Sequence, residues 1–277
     1  MAEAALAGET IATAVAWGRA RLQAAGCDTP RLDAELLLSA ALGVGRERLV
    51  LDRDLVVGGA ERSRFADLVA RREAREPVAY ILGHKEFRRL TLAVDRRVLI
   101  PRPETELLVE VGLDLSPGAR VADVGTGSGA VALALADERP DLFVRGLEVD
   151  PGALAVAVAN RDRLGLAVAL VEADLLDGAA YDAVLANLPY VPAGTALEPE
   201  IARFEPPGAL FAGPDGLDVV RRLVEVVGAR RPRPLVALEI GPEQASRVVE
   251  LLSAAGFGGA EVRRDLAGLE RVVVGTP

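Results

Sequence analysis

Hydrophobic residues recur every three or four positions through the first quarter of the chain, which is the spacing of amphipathic helices. This pattern predicts helices in ETIATAVAWGRARLQAAG, DTPRLDAELLLSAALG, RERLVLDRD and GAERSRFADLVARREARE. Pro30 after Asp28-Thr29 is typical of a helix start, and Gly43 of a helix end. We therefore predict a small all-α N-terminal domain over residues 1–78. We expect its charged ARREARE stretch to be a solvent-exposed face.

The pattern changes to an alternation of apolar and polar residues in EFRRLTLAVDRRVLI, which favours β-strands. The break at Asp95-Arg96-Arg97 suits a turn. We therefore predict a β-hairpin in a linker that spans residues 79–101.

From about residue 118 onward, short apolar runs alternate with helical stretches, which is typical of an α/β domain with a mainly parallel, doubly wound sheet. The strand candidates are RVADVG, LFVRGLEV, VALVEA, YDAVLANL, PLVALEIG, GAEVRRD and ERVVVG. Only LAGL separates the last two, and so short a link permits an antiparallel hairpin but no parallel crossover. We predict that residues 102–277 form this domain, with an antiparallel last strand.

A glycine-rich turn in VADVGTGSGA joins the first of these strands to a helix. Gly125, Gly127 and Gly129 allow a tight turn and the close approach of a ligand to the backbone. Glu148 ends the next strand, 21 residues after Gly127, where a carboxylate can accept both hydroxyls of a ribose. These features predict a nucleoside cofactor, although the turn alone also matches the dinucleotide pattern of nicotinamide enzymes.

Two further acids belong to this predicted cofactor site. Asp123 precedes the first glycine and can either hold the loop or face an amino group of the ligand. Asp174 closes the third strand and with Leu175 can meet an adenine ring, while a helix cap is the alternative role for Asp174. The predicted cofactor residues are Asp123, Gly125, Thr126, Gly127, Ser128, Gly129, Glu148, Asp174, Leu175 and Asn187.

Composition and charge narrow the classes of function. A net charge of −9 over 277 residues argues against sequence-independent binding to nucleic-acid backbones. Cys27 and His84 are the only residues of their types, so we expect no disulfide and no metal site, and we interpret His84 as structural or surface. No signal peptide is recognisable, and no uncharged run approaches the ~20 residues of a membrane-spanning helix. We expect a cytoplasmic monomer without membrane contact.

The order of VADVGTGSGA, EVDPGALAVA, EADLL and ANLPY resembles class I S-adenosylmethionine-dependent methyltransferases. More narrowly, the chain resembles the HemK/PrmC family along almost its whole length, in RLDAELLLSAALG, PVAYILGHKEF, VLIPRPETELLVE, RFEPPGALFAG, LEIG and DLAGLERVVVG. The resemblance implies a Rossmann-like methyltransferase fold and S-adenosyl-L-methionine as cofactor, with S-adenosyl-L-homocysteine as product. It also implies methylation of the glutamine of the Gly-Gly-Gln motif in peptide chain release factors, which the N-terminal domain would dock, and hence modulation of translation termination.

The resemblance gives ANLPY a chemical role. A planar amide nitrogen is a poor nucleophile, because its lone pair is delocalised, so the enzyme must bind and orient it. The Asn187 side-chain oxygen can accept one N–H group and the Leu188 carbonyl the other, which aims the nitrogen at the methyl donor. Pro189 stiffens the turn, and Tyr190 packs against the amide. We expect these four residues to be catalytic and to bind substrate.

Leu188 departs from the usual family motif, Asn-Pro-Pro-Tyr. We expect activity to survive, because the proposed role uses a backbone carbonyl, although leucine lacks the fixed φ of proline. The resemblance also places Arg102 of LIPRPETE beside the pocket, and Phe87 can line it. Ordinary structural roles are the alternative for both. Glu198, Glu200 and Glu205 lie in the proline-rich loop after ANLPY, which can form a wall for the incoming peptide, and we expect most charges of this loop to be solvated.

Other functions remain open at this point. One is glutamine methylation of a ribosomal protein. Another is adenine-N6 methylation of DNA or RNA, in which Asn-Pro-Pro-Tyr also serves, although the negative charge argues against it. A nicotinamide oxidoreductase would leave ANLPY unexplained. A non-catalytic cofactor-binding protein would make Leu188 a mark of lost catalysis.

Overall fold

The computed structural model describes residues 10–277. The first nine residues lie outside it, and with them the start of the first predicted helix and part of the segment examined for a signal peptide. The described chain forms two units, one up to Gly83 together with residues 198–204, and one of residues 84–197 and 205–277. The predicted linker, residues 79–101, falls partly in each unit. None of the helices in residues 10–277 has the length and apolar character needed to cross a membrane.

Helices make up the first unit, and the four that the sequence predicts are confirmed. Pro30 begins the second helix, and Gly43 ends it in the left-handed conformation at φ 68°, as predicted. The fifth, a short helix that ends at Leu82 and is capped by Gly83, was not predicted. The helices of this unit are α1 (Ile11–Ala24), α2 (Pro30–Leu42), α3 (Arg46–Leu51), α4 (Gly59–Glu73), α5 (Val78–Leu82) and, from later in the chain, α9 (Pro199–Phe204).

The core of this unit is aliphatic around one aromatic pair. Leu22, Leu37 and Phe65 are fully buried, and the rings of Trp17 and Phe65 pack in a T-shaped arrangement with 5.7 Å between their centroids. A Cβ atom at Gly18 would lie 2.7 Å from the Phe65 ring. Glycine at this position therefore allows α1 and α4 to pack closely.

The expectation that ARREARE is solvent-exposed was wrong for Arg72. Its side chain is 7% exposed, and its Nε donates to Asp33 at 2.8 Å. Its other end lies 2.9 Å from Glu200, whose side chain is 14% exposed, so Glu200 is not solvated as expected either. A buried guanidinium is tolerated here because two carboxylates surround it. Helical periodicity could not reveal these partners, since both belong to other helices.

A β-hairpin opens the second unit, as predicted, but its turn lies elsewhere. The antiparallel strands are β1 (His84–Phe87) and β2 (Leu90–Ala93), so the turn is Arg88-Arg89 and not Asp95-Arg96-Arg97. Arg88 adopts a positive φ of 52°. Its guanidinium forms two hydrogen bonds with Glu138, at 2.8 and 2.7 Å, which stabilises an unusual turn residue.

All seven predicted strands of the large sheet are confirmed. The strands are β3 (Arg120–Val124), β4 (Phe143–Glu148), β5 (Ala169–Glu172), β6 (Ala183–Ala186), β7 (Leu235–Glu239), β8 (Gly259–Arg264) and β9 (Glu270–Thr276). Their order in the sheet is β5-β4-β3-β6-β7-β9-β8. The first five in this order are parallel, and β9 runs antiparallel to both β7 and β8, as the short LAGL link predicted.

Apolar residues cover both faces of this sheet, which explains why its strands read as continuous apolar runs. On β3, Val121 belongs to one core cluster and Ala122 to the other. The chain moves from β3 outward to β4 and β5, then returns to β6 on the other side of β3. The carboxyl ends of β3 and β6 therefore meet at a switch point, where ligands bind in open α/β sheets. The helices of this unit are α6 (Glu106–Leu113), α7 (Ala130–Glu138), α8 (Pro151–Leu164), α10 (Asp218–Gly228) and α11 (Ala245–Ala254).

Candidate active site

A cavity of about 600 Å³ lies at this switch point, a size typical of small-molecule sites. Its walls come from the loops that follow β3, β4, β5 and β6, and from the proline-rich segment at residues 206–209. Most of the residues predicted to form the site line it, namely Asp123, Gly125, Thr126, Gly127, Ser128, Glu148, Asp174, Leu175, Asn187, Leu188 and Pro189.

The glycine turn has a conformation that needs its glycines. Gly125, Gly127 and Gly129 all have positive φ values, of 72°, 58° and 86°, a region that other residues rarely adopt. Gly129 does not line the cavity; it precedes α7, where a Cβ atom would lie 2.8 Å from the Leu133 side chain. Its contribution is to the shape of the loop.

Glu148 is held at the cavity wall by backbone amides. One carboxylate oxygen accepts from Gly127 N at 2.9 Å, and the other accepts from Val149 N at 2.9 Å and Asp150 N at 3.0 Å. A carboxylate has about four acceptor positions, so it can still accept from a ligand. Glu148 is therefore an acceptor fixed in place before any ligand arrives.

Asp123 is buried behind the turn. It accepts from the Thr126 hydroxyl at 2.6 Å and from Ala132 N at 3.0 Å. Burial raises the pKa of Asp123 to about 6, while these two hydrogen bonds oppose the rise. Of the two roles considered for Asp123, its contacts support that of holding the loop.

Asp174 and Leu175 form the wall after β5. Asp174 is exposed and pairs with Arg222 at 2.6 Å. The alternative role of Asp174 as a helix cap was wrong, because the next helix along the described chain begins only at Pro199. Leu175 is buried and has a positive φ of 68°, which is strained for a leucine.

Asn187 follows β6 directly, and its orientation is determined by Thr105. The side-chain nitrogen of Asn187 donates to the Thr105 hydroxyl oxygen at 2.9 Å. The amide oxygen is thus the part of the group left for a ligand. The buried Leu188 side chain packs on the turn, 3.1 Å from where a Cβ atom of Gly125 would be.

Tyr190 lies behind the cavity and is not among its lining residues. Burial, together with a smaller contribution from the nearby Glu239 carboxylate, raises the pKa of its phenol to about 12. The Tyr190 carbonyl accepts from the Gln244 side chain at 3.0 Å. A Cβ atom at Gly216, where φ is 76°, would overlap this carbonyl oxygen. The motif is therefore anchored at its carboxyl end.

Arg102 and Phe87 are held by contacts within the second unit and lie outside the cavity lining. The Arg102 guanidinium pairs with Glu205 and donates to Ile100 O at 3.0 Å. Glu205 is buried and also accepts from Ile100 N at 3.1 Å, so the expectation that it is solvated was wrong. Phe87 is buried in the core with Leu92. A role of Arg102 or Phe87 in substrate binding stays a prediction.

Three polar residues near the site were missed by the sequence analysis. Asn160 on α8 is fully buried and bridges the β-hairpin, at Ala93, to the glycine turn, at Ser128, with distances of 2.7 to 3.0 Å. Its signal is an asparagine in an otherwise apolar helix segment. The other two are Thr105 and Glu239.

Glu239 is the last residue of β7 and is 2% exposed. Burial raises its pKa to about 7, and one of its oxygens has no hydrogen-bond partner in the described structure. The signal was the acid in PLVALEIG, an otherwise apolar strand. Among residues 10–277, no group of three His, Cys, Asp or Glu side chains could hold a metal ion.

Comparison with known proteins shows to which family these features belong. Residues 13–83 match the family model of the PrmC N-terminal domain, and residues 103–203 match that of the methyltransferase small domain. The release factor glutamine methyltransferase of Rhodospirillum rubrum is 42% identical over 93% of this chain and 82% of its own length. That of Pseudomonas aeruginosa is 45% identical over 90% of this chain and 94% of its own.

Solved structures give the same fold. The hMettl16 catalytic domain, in complex with the MAT2A 3′UTR hairpin 6, superposes with a TM-score of 0.58 over 76% of this chain and 82% of that one, at 16% identity. So low an identity demonstrates a common fold alone, which confirms the predicted class I methyltransferase architecture. Because relatives more than 40% identical match nearly its whole length, the chain belongs to the release factor glutamine methyltransferase family.

Proposed function

We propose that the protein methylates the side-chain amide nitrogen of the glutamine in the Gly-Gly-Gln motif of peptide chain release factors, with S-adenosyl-L-methionine as methyl donor, and thereby modulates translation termination. The observation that carries this proposal is the orientation of Asn187. Its nitrogen is bound by Thr105 at 2.9 Å, which leaves an amide oxygen at the cavity to accept a hydrogen bond.

The chemistry of the cavity residues fits this cofactor. Backbone amides occupy three of the about four acceptor positions of Glu148, which leaves one for a ribose hydroxyl. Leu175 and Val149 offer apolar surface for a base, and Asp123 and Glu148 bring negative charge toward a cationic ligand. When bound, S-adenosylmethionine supplies a methyl group on a positively charged sulfur and leaves as S-adenosyl-L-homocysteine.

The protein itself contributes positioning. The Asn187 oxygen accepts one N–H of the glutamine amide, and the Leu188 carbonyl accepts the other, so that the nitrogen is aimed at the methyl carbon. Both acceptors also stabilise the positive charge that develops on the nitrogen as the new C–N bond forms and the C–S bond breaks. The nitrogen then loses a proton to water, which gives a neutral secondary amide.

The helical unit is the proposed docking site of the release factor. Within it, a cleft of about 560 Å³ combines apolar side chains, among them Val15 and the largely exposed Val50, with Arg19, Arg31 and Arg53. Such a mixture suits a protein surface that carries apolar and acidic groups. We further propose that the enzyme acts as a cytoplasmic monomer and contacts neither nucleic acid nor membrane, in keeping with its net charge of −9.

The test is methyl transfer from labelled S-adenosylmethionine to recombinant release factor, beside a release factor whose Gly-Gly-Gln glutamine is changed to alanine. We expect label only on the intact motif. Asn187→Ala should lower turnover by on the order of 100-fold, with cofactor affinity within about threefold of wild type. Leu188→Pro is the control, since proline retains the carbonyl. Cofactor binding without any label on the release factor would overturn the proposal.

A further inference from the structure

Glu239 lies beside Asn187 because of the sheet register. Ala186 at the end of β6 pairs with Leu238 of the parallel strand β7. The next residues along the two strands are Asn187 and Glu239. Thr105 ends a 3₁₀ turn just before α6, and its side chain contacts that of Asn187. All three residues belong to the second unit.

Thr105 connects the other two side chains. Its hydroxyl oxygen accepts from the Asn187 nitrogen at 2.9 Å, and its hydroxyl group faces the Glu239 carboxylate, where it favours the ionised form. Thr105 is 4% exposed and Glu239 is 2% exposed. Water therefore cannot readily substitute for either partner.

The direction of donation follows from the chemistry of the groups. An ionised carboxylate can only accept, so in the interaction between Thr105 and Glu239 the hydroxyl is the donor. The Thr105 oxygen is then an acceptor, and the Asn187 amide must present its nitrogen to it. Without a fixed acceptor, the hydroxyl could rotate and donate to Asn187, and the amide would turn by 180°.

We propose that Glu239 is a positioning residue, which acts through Thr105 to hold the Asn187 amide with its oxygen toward the substrate. The identity of that substrate rests on the proposed function. The orientation of the Asn187 amide does not, and it can be measured without turnover.

Protonation of Glu239 would remove this control. Burial, with a smaller contribution from Glu104, raises the pKa of Glu239 to about 7. The groups that oppose this rise are the Thr105 hydroxyl, Arg271 and Tyr190. Arg271 is bound chiefly to Asp265, at 2.8 Å. Below neutral pH, a protonated Glu239 can donate to Thr105, and the network can then reverse. We therefore expect turnover to fall as the pH drops through about 7.

The kinetic test compares Glu239→Gln and Thr105→Val with Thr105→Ser, which keeps the hydroxyl. The first two should lower kcat by about 10- to 100-fold, with the KM for release factor and the affinity for cofactor little changed. Thr105→Ser should restore most of the turnover. The fall in activity below pH 7 should be absent in Glu239→Gln. Wild-type turnover and an unchanged pH profile in Glu239→Gln would overturn the proposal.

A spectroscopic test is independent of turnover, because the chain contains only two asparagines, Asn160 and Asn187. In protein labelled with ¹⁵N-asparagine, the Asn187 side-chain resonance should titrate near pH 7 in the wild type and not in Glu239→Gln. Asn160, bound to backbone groups of Ala93 and Ser128, serves as the internal reference. An Asn187 resonance indifferent to both pH and Glu239 would overturn the inference. If that titration is seen but no release factor is methylated, only the proposed function fails.

Discussion

Buried acids are treated differently in the two units. In the helical unit, Asp33 and Glu200 each lie within 3 Å of the Arg72 guanidinium. At the carboxyl edge of the sheet, Asp123 and Glu148 are held by backbone amides and a threonine hydroxyl. The former are neutralised by a fixed cation, whereas the latter keep their charge available.

These two environments leave the acids with different abilities to bind a ligand. A buried ion pair fixes the structure around it, and its cation neutralises the charge that a ligand would otherwise meet. Amide-held carboxylates keep free lone pairs, and burial without a cation raises the pKa of Asp123 to about 6. Such perturbed acids in a cavity are typical of functional sites. The environment of a buried acid, rather than its presence, therefore distinguishes a carboxylate that fixes the structure from one that can still accept from a ligand.

The largest effect on stability is expected from Arg72→Met, which removes the cation from the buried acids of the helical unit. Methionine leaves Asp33 buried without a cation, whereas Glu200 keeps Arg75 at 2.6 Å, so the free energy of unfolding should fall by about 3–5 kcal/mol. Urea denaturation measures this change. The matched control is Arg31→Met, since Arg31 pairs with Glu35 while 73% exposed, and it should cost under about 1 kcal/mol. Equal losses in both variants would mean that burial does not distinguish these pairs.

Much of this architecture could be predicted from sequence, because it depends on local patterns. All seven strands of the large sheet and four helices follow from the spacing of apolar residues, and the turn after β3 from its glycines. The β-hairpin turn was misplaced because Arg88 takes a positive φ that no local signal requires, while its Glu138 partner lies 50 residues away.

The polar contacts behind the site could not be predicted in the same way. Asp33 and Arg72 are 39 residues apart, Thr105 and Asn187 are 82, and Ile100 and Glu205 are 105. One sequence shows neither that such groups meet nor that they are buried. Glu239 had a local signal, an acid in an apolar strand, but its neighbour Asn187 becomes apparent only once the strand register is known.

A smaller effect on stability is expected from Asp123→Asn, which changes a buried acid that has no cation beside it. The folded pKa of Asp123, about 6, exceeds the ordinary value of 3.8, so between pH 4 and 6 the folded state binds more protons than the unfolded state. The contribution of Asp123 to stability is therefore greatest below pH 4 and declines as the pH rises toward 6. Asparagine should abolish this decline, which amounts to about 2–3 kcal/mol.

The measurement is the free energy of unfolding of both proteins at several pH values, with Asp137→Asn on the exposed side of α7 as control. Only the difference between the slopes matters, because asparagine also replaces one carboxylate oxygen with an NH₂ group, while Thr126 and Ala132 both donate to the single oxygen Oδ2. Parallel curves for wild type and Asp123→Asn would show that Asp123 ionises normally, and that the contrast with the paired acids is weaker than its burial indicates.

The smallest effect is expected where an amide-held acid meets the ligand, in Glu148→Gln. Glutamine has one acceptor oxygen where the structure requires acceptors for three backbone amides, and its NH₂ group faces at least one of these donors. Affinity for S-adenosyl-L-homocysteine should fall about tenfold, or about 1.4 kcal/mol, as titration calorimetry would measure. Glu172→Gln is the matched control, because Glu172 pairs with Glu148 in the strand register but is exposed. Loss of affinity in both variants would mean that the ligand responds to the total negative charge near the site. Loss in Glu148→Gln alone would mean that the ligand binds the Glu148 carboxylate itself, which the fold has kept free of cations.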